Sequence, residues 1–169
     1  MERVKVRRQT KRREFNEIET TQKSNKGSTR CVLVIDSDEK AAQALKEAWE
    51  RLKLSEELQF VSDRDEAMKI VRTNGKQKSA ARMVGVVMDP ETTGEETGPF
   101  LRELRKHFGS QMTPVVFWTR DGKMYEVLEG RGVESVQRKP AILRVIQALD
   151  SACTLKVRQP FTPYLGHKT

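Results

Sequence analysis

Cysteine, histidine and aromatic side chains are all scarce in this chain of 169 residues, and each scarcity removes a class of function. The two cysteines, Cys31 and Cys153, lie far apart and belong to no CxxC or Cys/His cluster, which argues against a zinc site and against a disulfide framework. The two histidines, His107 and His167, share no motif and read as surface residues rather than ligands or phosphocarriers. Rings make up 6% of the residues, and Phe15 is the only one before Trp49, so a stacking platform for single-stranded bases is not provided. No apolar run approaches the roughly 18–20 residues that a membrane span needs, and the charged N-terminus is followed by no apolar signal-peptide core. Reduced, structural thiols, a cytosolic location and no membrane contact are the expectation.

What is present is charge, unevenly placed. Lys and Arg exceed Asp and Glu by eight, and residues 1–30, with ten basic and four acidic side chains, hold six of those eight. Residues 1–29 therefore read as a basic flexible arm. Solvated disorder is its bland reading, and salt-sensitive attraction to a nucleic-acid backbone is the functional one. The length suits one domain with tails.

From Cys31 onward, short apolar runs alternate with helical patterns, the signature of βα units and a parallel sheet. The strands are expected at 31–35, 58–61, 83–88, 114–119 and within 132–140. The first helix carries Ala41, Leu45, Ala48, Trp49 and Leu52 on one face, after Asp36, Ser37 and Asp38, which offer N-cap chemistry. Further helices are expected at 62–72, at about 99–107 with Phe100, Leu101 and Leu104 buried, more weakly at 122–130, and at 141–152 with Ile142, Val145, Ile146 and Leu149 inward. Residues 73–82 read as a polar loop. Trp49 and Trp118 fall on apolar faces and read as core.

Parallel strands present all their C-terminal ends on one side, where ligands of open α/β sheets collect. The first polar residue after each apolar run is Asp36 on the first strand, Asp89 on the third, Thr119 on the fourth and Lys139 on the fifth. Two carboxylates about 5 Å apart repel by roughly 3 kcal/mol at an effective dielectric near 20, so such a crevice wants a cation. Lys139 or a divalent metal meets that need, and oxygen ligands suit magnesium.

The segments VLVIDSD, VVMDPETTGEETG, VVFWTR and VQRKP, in this order on five βα units, resemble the receiver domain of two-component response regulators over residues 30–152, leaving 153–169 as a C-terminal tail. The resemblance implies a three-layer, doubly wound, flavodoxin-like (βα)5 fold with sheet order 2-1-3-4-5. It implies Asp89 as phosphoacceptor, with Thr119 and Lys139 on the phosphoryl oxygens and Asp36, Asp38 and Asp89 around a weakly held Mg2+. A cis peptide before Pro140 is common in the family. Its activity is phosphoacceptance in signalling rather than enzymic turnover. A sensor histidine kinase or phosphotransfer protein is the implied donor, and an unidentified downstream protein the implied receiver of the signal.

Five positions depart from the family pattern. Ser37 stands at the second acidic position, a poorer ligand for a hard cation than a carboxylate. Arg120 follows Thr119 where a small residue is usual; its guanidinium either reaches Asp36 or Asp89 in place of a metal, or points into solvent. Val136 stands where the fifth strand commonly has an aromatic residue. Pro90 follows Asp89 directly, and Thr93 replaces the usual proline. The alternative reading is thus a receiver-like interaction module that works without phosphorylation. The tail, with Pro160, Phe161, Pro163 and Tyr164, packs either on the sheet or on another subunit and is too short for an effector domain.

Overall fold

Short β-branched runs punctuated by polar caps give five strands and four full helices in the computed structural model, which describes residues 29–76, 81–108, 113–121, 125 and 132–158. The strands are β1 (Arg30–Ile35), β2 (Glu57–Val61), β3 (Arg82–Met88), β4 (Val115–Thr119) and β5 (Ser135–Arg138). The helices are α1 (Glu39–Arg51), α2 (Arg64–Lys76), α3 (Thr97–Phe108) and α4 (Ile142–Cys153), with a helical turn, Pro90–Thr93, and a 3-10 turn, Gly94–Glu96, between β3 and α3. All strand pairs are parallel, in the order β2-β1-β3-β4-β5.

The apolar runs are continuous because the central strands are covered on both faces. Val32 and Val34 of β1 point to one side, where Leu45 and Trp49 of α1 and Val145, Ile146 and Leu149 of α4 complete a core. Leu33 and Ile35 point to the other, against Ala67, Met68 and Val71 of α2 and Phe100 and Leu104 of α3. Each such buried side chain contributes about 1.5–3 kcal/mol, so the two half-cores dominate stability. Gly85 lets α4 approach β3: a Cβ there would lie 2.9 Å from Leu149 Cδ2.

Several expected limits move. Helix α2 runs on to Lys76, into the expected polar loop, and α3 begins at Thr97. Leu52 caps α1 instead of extending its buried face and is 43% exposed. The helix expected over 122–130 lies outside the described residues except for Tyr125, whose ring meets Phe117 edge-on at 5.7 Å. Beyond α4 the chain folds back: Leu155 is buried, and Val157 pairs antiparallel with Leu54. No described helix is long and apolar enough to cross a membrane.

Candidate functional site

Three residues beyond the strand ends are fixed by extending the sheet's own hydrogen bonding by one step. The Asp36 amide donates to Val61 O at 3.0 Å, the Asp89 amide to Ile35 O at 2.9 Å and the Lys139 amide to Thr119 O at 2.9 Å. Backbone bonds to neighbouring strands therefore aim all three side chains from the C-terminal edge. The Lys139–Pro140 peptide is cis, in line with the expectation.

The side chains meet. Lys139 Nζ lies 2.8 Å from Asp36 Oδ2, 2.6 Å from Asp89 Oδ2 and 4.0 Å from Asp38 Oδ2, with only 7% of the lysine side chain exposed. The two flanking carboxylates use their other oxygens alike: Asp36 Oδ1 accepts from the Asp38 amide at 2.8 Å, and Asp89 Oδ1 from the Glu91 amide at 3.0 Å. Each acid thus spends one oxygen on the backbone two residues on and shares one ammonium with the other. The ammonium also stands 5.5 Å over the Trp118 ring, a cation–π contact in a largely desolvated place.

Burial pushes the Asp36 carboxyl above its usual range, although the Lys139 hydrogen bond pulls the other way. Burial also opposes the charge on Lys139, but the hydrogen bonds and charges of Asp36 and Asp89 outweigh it and raise its pKa. Thr119 is fully buried, and among the described residues its Oγ1 has no hydrogen-bond partner. A buried hydroxyl left unpaired costs about 1–3 kcal/mol, so this one is unused donor capacity at the strand end beside Lys139.

No family model matches the chain, and no curated protein matches its sequence. Solved structures do match its fold. A response regulator receiver domain protein from Clostridium thermocellum shares 23% identity and a TM-score of 0.58, with 73% of this chain and 94% of that one covered. The phosphorylated response regulator of a cyanobacterial phytochrome superposes with TM-score 0.56 at 17% identity, over 73% of this chain and 90% of its own. The receiver domain of a Pseudomonas aeruginosa sensor histidine kinase, with magnesium coordinated in its active-site cleft, gives 0.56 at 14%, over 74% and 98%. This chain has the receiver-domain fold.

Within the receiver-domain fold, Arg120 does not reach Asp36 or Asp89; it lies largely in solvent, as its second expected place has it, but with an ion pair to Asp38. Its Nη2 donates to Asp38 Oδ2 at 2.8 Å, not to Asp36 or Asp89, and the rest of the side chain is open, 71% exposed. The reason is the capping geometry: Asp38 Oδ1 accepts from the Lys40 and Ala41 amides at the start of α1, which turns Oδ2 outward towards Arg120. The Ala41 amide bond, then Arg120, hold the Asp38 carboxyl below its usual range. Ser37 is engaged as well: its amide donates to Thr92 Oγ1 at 3.1 Å, and the two hydroxyls lie 3.4 Å apart. Nothing in the sequence pattern marked Thr92 as a partner of Ser37, or Trp118 as the ring beneath Lys139.

The carboxylates expected around magnesium are therefore each bound to a cation of the chain. Among the described residues no group of three acidic, imidazole or thiol side chains is disposed to hold a metal ion. As arranged, Asp36, Asp38 and Asp89 do not fit Mg2+ while Lys139 and Arg120 are in place.

Proposed function

We propose that this chain is a receiver-type phosphoacceptor: Asp89 takes a phosphoryl group, and the modified pocket signals through contact with another protein. The observation that carries the reading is Asp89 itself, held at the C-terminal sheet edge with one oxygen on the Lys139 ammonium and Asp36 on the same ammonium. A carboxylate attacks phosphorus when the charge on the phosphoryl oxygens is spread onto fixed donors. Here one Asp89 oxygen bonds to phosphorus, the bond from phosphorus to the donor's nitrogen breaks, and the leaving nitrogen takes up a proton. Lys139 then pairs with a phosphoryl oxygen, and the unpaired Thr119 hydroxyl donates to another. The chain is the acceptor in this step rather than an enzyme acting on a separate substrate. A sensor histidine kinase or phosphotransfer protein would supply the group.

A second reading has its own observation. With Ser37 tied to Thr92 and Asp38 tied to Arg120, the loops around the acids are already fixed, which suits an interaction module that works without phosphorylation. Incubation with phosphoramidate followed by intact mass separates the two. One phosphoryl adduct on the parent protein and none on Asp89→Asn supports the acceptor. An unmodified parent protein would favour the module. The proposed nucleic-acid contact rests on the basic arm, of which residues 1–28 lie outside the described residues.

A further inference from the structure

We propose that the cations of this pocket are part of the chain: Lys139 and Arg120 hold Asp36, Asp38 and Asp89 together without a divalent metal, and Arg120 is the gate that keeps magnesium weak. The inference deepens the phosphoacceptor reading for Asp89, but it concerns how the pocket is assembled and can be tested whether or not Asp89 is phosphorylated.

Three independent contacts carry it. A divalent ion among these acids would neutralise their repulsion and tie the loop after β1 to the end of β3. The Lys139 ammonium already does the first, between Asp36 and Asp89 at 2.8 and 2.6 Å. The Ser37–Thr92 contacts do the second, linking the same two loops through hydroxyls. Arg120 satisfies the remaining carboxylate oxygen, Asp38 Oδ2, at 2.8 Å. A hard cation entering here has to displace a tethered guanidinium, and at Ser37 it finds a hydroxyl already engaged with Thr92.

The two cations are not equivalent. Lys139 is buried against Trp118, whereas the Arg120 side chain is 71% exposed and makes its contact from the solvent side. Removing Arg120 therefore leaves the core intact and releases one oxygen of Asp38, next to the acids that Lys139 holds. Removing Lys139 would strip the interior instead. Arg120 is the place where metal dependence can be switched on by one substitution, and Arg120→Lys should keep the gate shut because it keeps the charge.

The test is a magnesium titration of the full chain in metal-free buffer, read by thermal unfolding and by Trp fluorescence, for the parent protein, Arg120→Ala and Arg120→Lys. The expected result is a magnesium affinity about fivefold tighter for Arg120→Ala than for the parent, the step expected when an exposed ion pair stops competing. Arg120→Lys should follow the parent protein. Equal magnesium-dependent shifts in parent and Arg120→Ala, including no shift in either, would overturn the proposal. A failed phosphoramidate reaction alongside the expected titration would remove the acceptor reading and leave this one standing.

Discussion

Lys139 concentrates the electrostatics of the pocket in one nitrogen. Taking it away leaves Asp36 and Asp89 buried and facing each other, so Lys139→Ala should lose about 3–5 kcal/mol at neutral pH by denaturant unfolding, with part recovered on acidification as the carboxyls take protons. Asp36 gives a second test at this scale. Its native pKa lies above the unfolded value of 3.8. The folded protein then binds the proton more tightly, so this group's contribution is complete below pH 3.8 and is lost as the pH rises through the higher native value. In Asp36→Asn that loss disappears, and its melting temperature relative to the parent should be more favourable at pH 7 than at pH 4. A constant difference across that range would contradict the assignment. Thr119→Val discriminates differently: removing an unpaired hydroxyl should preserve or raise stability, by up to about 1 kcal/mol, while slowing adduct formation on Asp89.

At the scale of elements, the central strands β1, β3 and β4 were legible because they are buried on both faces and spell apolar runs, whereas β2 and β5 at the edges are half-exposed; the sheet order came with the resemblance rather than from those runs. Helix ends were less legible, since α2 reaches Lys76 through Asn74 and Gly75, residues whose local preference is for turns. The pocket's acids and lysine could be read from strand ends, but the partner of Arg120 could not, because it depends on which oxygen of Asp38 caps α1. The C-terminal segment was open between two readings; Pro160, Phe161, Pro163 and Tyr164, on which they rested, lie outside the described residues, and the described part, up to Arg158, packs on its own domain. Buried Glu56 accepts the Lys156 amide on both carboxylate oxygens, at 3.0 and 3.1 Å, and pairs with Arg30 at 3.0 Å, while Ser55 donates its amide to Lys156 O at 2.7 Å. A carboxylate at an otherwise unremarkable loop position gave no sequence signal of this clamp. Glu56→Ala should cost about 3 kcal/mol and remove hydrogen-exchange protection at the Lys156 amide. Retained protection there would show that Leu155 and the backbone contacts of Lys156 and Val157 with Ser55 and Leu54 hold the tail without Glu56.

For the whole molecule, the receiver-domain fold draws its core from Cys31 to Leu155, and the acid pocket lies at the sheet edge towards which every strand runs. Deleting residues 1–28 should therefore leave a cooperative unfolding transition at nearly the parent temperature, because β1 and its partners begin beyond the cut. Phosphoryl transfer to the Asp89 carboxylate is the step on which the proposed function depends. The most direct measurement is to treat the phosphoramidate-reacted protein with borohydride, which reduces an acyl phosphate to the alcohol, and then to map the peptides by mass spectrometry. Homoserine in place of Asp89, absent without the phosphodonor, is the predicted result; an unreduced Asp89, or reduction at another carboxylate, would contradict it.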